Sequence, residues 1–116
     1  MKKLFPAAAL LLSACSVSVP VNGELEGIRA QGTATAALSG GTFYVMSTSG
    51  LRCDGTYDAM TSDITITAPV TCNDGRTGNA IISRRADLTS GTVIVKLTGG
   101  AQGQFVFGNL SYAEEF

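Results

Sequence analysis

The sequence predicts an all-β fold, an antiparallel up-and-down meander of about seven strands that curls into a small barrel-like sheet. From Leu25 onward, Val, Ile, Thr, Phe and Tyr alternate with polar residues in short runs, and no helical period appears. Gly, Asp, Asn and Ser separate these runs. Because the connections are too short for a parallel crossover, successive strands must pair antiparallel. The segment from Cys53 to Cys72 has the pattern of a hairpin closed by a disulfide.

Each predicted strand is bounded by turn residues. The predicted strands cover residues 26–38, 42–48, 51–58, 63–72, 76–85, 91–98 and 102–108. Gly50, Gly75 and Gly100 lie 25 residues apart, each at a predicted turn. The meander therefore carries a weak internal repeat of one turn followed by two strands.

The glycine spacing also predicts a strand register. If the glycines occupy the turn centres, Val45 pairs with Gly55, and if Cys53 faces Cys72, Val70 pairs with Gly55 across the next hairpin. A slip by one residue would move a whole strand to the other face of the sheet. One predicted inner face collects Phe43, Val45, Tyr57, Ile64, Ile66, Val70, Ile82, Val93, Val95, Leu97, Phe105 and Phe107.

The first predicted strand has small residues on its inner face, Ala30, Gly32, Ala34 and Ala36. Small residues allow a sheet to curl tightly, and a curled sheet buries one face by closing on itself or by packing on a second sheet. Two interiors are compatible with this pattern. Side chains fill the interior, or a cavity holds a small apolar or lipid-like ligand.

Residues 1–14 have the pattern of a secretory signal peptide. Lys2 and Lys3 form a positive start, and the apolar run over 4–12 is much shorter than the roughly 18–20 residues of a membrane-spanning helix. Small residues then lead directly to a cysteine in the motif Leu12-Ser13-Ala14-Cys15.

This motif resembles the lipobox of bacterial lipoproteins. The resemblance implies cleavage before Cys15, acylation of its thiol, and usually a further acyl chain such as palmitate on the new amino terminus. Ser16 follows where inner-membrane lipoproteins typically have Asp, which favours the periplasmic face of the outer membrane. We expect a lipidated terminus and short tether over 15–24, a β-domain over 25–110 and a tail over 111–116.

Lipidation of Cys15 leaves Cys53 and Cys72 as an even pair in an exported protein, which favours a disulfide. The chain has no histidine, so a zinc site with four Cys or His ligands is excluded. Without Lys2 and Lys3, six basic residues stand against nine acidic ones, a net charge of −3. We expect no nucleic-acid partner, because no basic stripe is present.

The segments Cys53-Asp54-Gly55-Thr56-Tyr57 and Cys72-Asn73-Asp74-Gly75-Arg76-Thr77-Gly78 resemble a C-x-G-x-Y and C-x-D-G-R-x-G pattern of small exported proteobacterial lipoproteins, which brings no established activity with it. Structural roles account for most of the motif. Gly78, for example, is expected to face the disulfide, where a larger side chain would not fit. They do not account for Arg76.

Arg76, Arg84 and Arg85 are candidate contact residues. Arg84 and Arg85 could form a basic patch with Lys96, although an exposed strand end of mixed charge is the simpler interpretation. The tail 114–116 is a further candidate contact.

No catalytic constellation is predicted. The chain lacks a histidine base and a glycine-rich phosphate loop, and Asp54, Asp58 and Asp63 do not have the spacing of a calcium loop. We expect no enzymatic activity and no cofactor. The leading hypothesis is a lipid-anchored envelope protein with a structural or interaction role and an unidentified envelope partner. The alternative is the small apolar or lipid-like ligand inside the β-domain.

Overall fold

The structure, a computed structural model, describes residues 16–116, which form a closed barrel of eight antiparallel strands in sequence order. The predicted all-β meander and its closure are therefore confirmed. The strands are β1 (Ser16–Leu25), β2 (Ile28–Ala37), β3 (Gly40–Ser47), β4 (Arg52–Tyr57), β5 (Thr65–Cys72), β6 (Thr77–Arg84), β7 (Gly91–Leu97) and β8 (Gln102–Phe107). A 3₁₀ turn spans Thr98–Gly100, and one short helix, α1, spans Tyr112–Glu115.

The strand beyond the predicted seven is β1, which occupies the segment predicted to be a tether. It pairs with β2 along its whole length and with β8 from Val21 to Leu25, which closes the barrel. Val17, Val19 and Val21 alternate with polar residues, a strand signal that the intervening Pro20 obscured. Pro20 is tolerated because it lies just outside the ladder with β8, where β1 is an edge strand.

The predicted register was wrong by two residues in the hairpins that turn at Gly50, Gly75 and Gly100. Val45 pairs with Cys53 rather than Gly55, and Val70 pairs with Gly78 rather than Ala80. The glycines do not occupy the turn centres. In the first two hairpins each glycine takes a positive φ as the last residue of a three-residue loop, closed by the pairs Ser47–Leu51 and Cys72–Arg76. This is the type I turn with a glycine bulge, whose centre lies one residue earlier.

The predicted faces largely survive because a shift of two residues preserves the alternation. Val45, Val70, Val95 and Phe105 are all buried inside the barrel. Ile64 was predicted to face inward but lies in the loop before β5 and is 49% exposed. Gly78 also has a different neighbour from the one predicted. A Cβ there would overlap the carbonyl of Lys96 on β7, not the disulfide.

The two ends of the barrel differ. The disulfide end is the end at which β1 finishes and β4 begins. Cys53 and Cys72 are directly paired there and disulfide-bonded, as predicted. Its interior is filled by side chains that are at most 5% exposed, among them Leu25, Ala30 and Leu97. The open end is the end at which β1 begins and β4 and β6 finish. It carries the candidate site.

Candidate functional site: an apolar cavity at the open end

A cavity of about 250 Å³ lies inside the barrel at the open end. Its walls come from strands around the barrel, and all but three of the lining side chains are apolar. They are Val17, Val19, Val21, Ala34, Ala36, Phe43, Val45, Tyr57, Ala59, Ile82, Arg84, Leu88, Thr89, Val93, Val95, Phe105 and Phe107. Val17 is 58% exposed, so the cavity reaches solvent at this end.

The small residues of β2 have divergent roles along the strand. Ala34 and Ala36 line the cavity, where their short side chains leave space. Ala30 lies on the same face nearer the disulfide end and is 1% exposed in the packed core. The alternation in the sequence identified the face correctly, but it did not predict where along the strand the interior becomes hollow.

The wall beside the cavity is incomplete between β4 and β5. The ladder that joins them runs only from Cys53–Cys72 to Gly55–Val70. Beyond it the strands separate, and the loop over 58–64 connects them. Tyr57, the last residue of β4, lies at this separation. Its ring packs directly on Gly41, where a Cβ would overlap it, and lies 6.2 Å from the ring of Phe43.

Arg84 is the charged group of the cavity lining. It is the last residue of β6 and only 6% exposed, because the β4–β5 loop covers it. Its Nη2 donates to the carbonyl oxygen of Thr61 at 2.8 Å and to that of Asp63. Its backbone N–H also donates to the carbonyl of Ile64 at 2.7 Å. Arg84 therefore holds the loop against the end of the barrel.

These bonds leave part of the guanidinium without a partner. Nε is buried and has no hydrogen-bond acceptor, and among residues 16–116 no carboxylate lies within ion-pair distance of Arg84. Arginine stays protonated in proteins, so the group carries its charge into a mostly apolar interior. A buried donor left without a partner costs about 1–3 kcal/mol. The folded protein therefore keeps this unfavourable, unpartnered donor at the cavity wall.

Tyr57 is the other titratable group of the cavity. Burial raises the pKa of its phenol, and the charge of the nearby Arg84 acts in the opposite direction. The phenol is therefore neutral at physiological pH and keeps its O–H as a hydrogen-bond donor.

The other predicted contact residues lie elsewhere. Arg76 is at the disulfide end, where its guanidinium pairs with Asp74 at 2.7 Å and with Glu26 at 2.5 Å. It thus links the β5–β6 turn to the β1–β2 turn. Arg85 points outward and pairs with Glu115 of α1 at 2.9 Å. The predicted tail contact is thus partly an internal one.

Arg84, Arg85 and Lys96 do not form the basic patch considered above, and Arg84 does not belong to an exposed strand end either. Arg84 is buried and Arg85 is exposed, because neighbouring residues of a strand end point to opposite sides. Lys96 lies near the far end of β7, opposite Asn79 and Gln102. Within the described part of the chain, no group of histidine, cysteine or carboxylate side chains could hold a metal ion. Cys15, the predicted lipidation site, lies outside the described residues.

Sequence reasoning named Arg84 for the wrong reason and missed Leu88, Thr89 and Ala59 of the cavity rim. One signal was available for Arg84. It follows the alternation Ala80, Ile82 on the inner face of β6, so parity alone placed it inside the barrel.

The chain matches no protein-family model, no curated protein and no solved structure. No helix among residues 16–116 is both long and apolar enough to cross a membrane. The fold and the cavity therefore define the protein only by class, as a disulfide-bonded, eight-stranded meander barrel with an apolar interior site.

Proposed function

We propose that this protein binds a small apolar ligand inside its barrel, without catalysing a reaction on it, and that it does so as a lipid-anchored protein of the cell envelope. The observation that carries the proposal is the cavity of about 250 Å³ with its almost entirely apolar lining. Protein interiors are normally packed without such spaces. A concave, apolar site with few polar groups is the usual form of a small-molecule site.

The size of the cavity limits the ligand. An apolar cavity of about 150 Å³ accommodates a molecule of the size of benzene. The space in this barrel suits a somewhat larger molecule, such as a medium-length hydrocarbon chain. The cavity favours ligand binding over the purely structural or interaction role that led the sequence hypotheses, because a structural barrel gains by filling its interior.

The position of β1 supports a membrane-proximal site. Ser16 is the first residue of β1, and Val17 lines the cavity mouth. Cys15, the candidate lipidation site, directly precedes Ser16. Because extended chain advances at most ~3.6 Å per residue, an anchor on Cys15 would lie within about 7 Å of Val17. A lipid anchor there would hold the open end, and not the disulfide end, at the membrane surface.

The ligand-binding proposal is tested with a neutral, mostly apolar fluorescent probe, N-phenyl-1-naphthylamine, titrated into the protein over residues 16–116. We expect saturable fluorescence enhancement in the wild type and at least about a tenfold loss of affinity in Ala34→Leu, which fills part of the cavity. Thr35→Leu is the matched control, since the neighbouring side chain points outward and bonds to Ser18 on the surface. Equal binding by wild type and Ala34→Leu would refute the cavity as the site.

The anchoring proposal is tested separately by fractionating cells that express the full chain. We expect the wild type in the membrane fraction and Cys15→Ala in the soluble fraction, with loss of metabolic labelling by a palmitate analogue. Labelling that persists in Cys15→Ala would contradict the proposed anchor.

A further inference from the structure

The polar side chains of the cavity restrict the chemical class of the ligand further than the apolar side chains do. Arg84 lines the cavity and is almost completely buried, with only 6% of its surface exposed. Its Nη2 is used by the β4–β5 loop, whereas Nε has no acceptor. Tyr57, which lines the same cavity, contributes a neutral hydroxyl.

We propose that the ligand is an anionic amphiphile with a carboxylate head, such as a medium-chain fatty acid, and that Arg84 receives the carboxylate. This rests on the proposed apolar binding site. A carboxylate would supply both missing elements at once, a counter-charge for the guanidinium and an acceptor for the unpartnered Nε–H. Charge-assisted hydrogen bonds between a guanidinium and a carboxylate are among the strong ones.

The direction of the cavity fits this ligand. Arg84 and Leu88 lie where β6 ends, at the open end, while Val45 and Phe105 lie deeper along the barrel. A head group at Arg84 would therefore leave the hydrocarbon tail pointing into the apolar interior. The ester- and amide-linked chains of a lipid anchor on Cys15 carry no free carboxylate, so they do not provide the partner that Arg84 lacks.

A structural role for Arg84 alone does not explain its state. The two carbonyl bonds from Nη2 hold the loop over 58–64, and the neutral amide group of a glutamine could make such bonds without a buried charge. The charge has no carboxylate partner among the described residues, although Asp63, whose backbone carbonyl accepts from Arg84, lies in the same loop.

The test compares two ligands with the same tail, decanoate and decan-1-ol, by displacement of N-phenyl-1-naphthylamine from the wild type at neutral pH. We expect decanoate to bind about tenfold more tightly or better, the effect of a hydrogen bond to a charged group. Equal affinity would overturn the carboxylate proposal while leaving the apolar site in place. Failure of both ligands and of the probe would instead overturn the proposed function itself.

Variants assign the preference to Arg84. We expect Arg84→Gln to lose the preference for decanoate while still binding decan-1-ol, Arg84→Lys to retain part of it, and Arg85→Gln, the exposed neighbour, to retain all of it. A preference that persists in Arg84→Gln would refute the assignment.

The preference has a second readout in the wild type, which applies even if Arg84→Gln does not fold. The preference for decanoate should vanish as pH falls, because protonation removes the negative charge of its head group. Tyr57, the other titratable group of the cavity lining, remains neutral over this pH range and does not contribute to the change. A preference unaffected by protonation of the ligand would equally count against the proposal.

Discussion

The two ends of the barrel are built from the same alternating strands, yet one is tied together and filled and the other is hollow. At the disulfide end, Cys53 is bonded to Cys72, and Asn73 bridges two turns through bonds to the Arg52 backbone N–H and the Gly50 carbonyl. Arg76, in the same turn as Asn73, pairs with Asp74 within that turn and with Glu26 of the β1–β2 turn. The open end has a separated pair of strands, a loop held by Arg84 and a cavity.

This difference indicates that the stabilising cross-links and the cavity occupy opposite ends of the barrel. A small domain has little buried surface with which to stabilise itself, and an unfilled cavity reduces that further. Covalent and ionic cross-links concentrated at one end stabilise the barrel without filling the other end. The cavity, our proposed ligand site, is thus separated from the cross-links of the disulfide end.

The largest expected effect is at the disulfide end. Replacing both cysteines, Cys53→Ala with Cys72→Ala, removes a cross-link between residues separated by 19 positions. The chain-entropy model predicts a loss of about 3 kcal/mol in the free energy of unfolding, measured by urea denaturation. The wild type treated with a reductant should lose a similar amount. A loss of under about 1 kcal/mol would mean that the disulfide is not the principal constraint of this end.

The next prediction compares the same substitution at two positions on one face of β2. Ala30→Leu should destabilise the protein by about 1–3 kcal/mol, because Ala30 is enclosed in packed core. Ala34→Leu should change stability by less than about 0.5 kcal/mol, or increase it, because its side chain enters the cavity. Urea denaturation of both variants measures the contrast. Equal losses at the two positions would show that the cavity is not available space.

Much of the fold could be predicted from the sequence because alternation and turn residues are local signals. The meander and its inner face follow from them, whereas the disulfide was predicted from the even cysteine pair and the curling of the sheet from the small residues of β2. Closure itself depends on the pairing of β1 with β8. The register could not be predicted correctly from the glycines alone, since the turn-centre assumption and the glycine-bulge loop differ by two residues and preserve the same faces. The strand β1 was missed because Pro20 and small polar residues are also typical of linkers.

The candidate site was harder to predict than the fold. A cavity forms where the space that a barrel encloses exceeds the volume of its inward side chains. No local sequence pattern indicates how large that excess is. The state of Arg84 depends on the loop over 58–64 folding back on the end of β6, a contact between residues more than twenty positions apart. The parity of β6 could have placed Arg84 on the inner face, although it was not used for that prediction, and only the folded barrel shows that its charge has no carboxylate partner there.

The smallest expected effect concerns Arg76, which ties the disulfide end ionically. A hydrogen bond from its guanidinium lowers the pKa of Glu26, and its backbone N–H, then its side chain, lowers the pKa of Asp74. A carboxyl group that is more acidic in the folded state stabilises the fold above its unfolded pKa, and this contribution is lost as pH falls through the folded value.

Arg76→Gln should therefore lower the urea midpoint slightly at pH 7. The difference in midpoint between the variant and the wild type should disappear as pH falls below about 4. Because the backbone N–H remains, Asp74 keeps part of its shift, and NMR titration should show the larger change at Glu26. A gap that stays constant with pH would mean that Arg76 stabilises the two turns by packing rather than by charge.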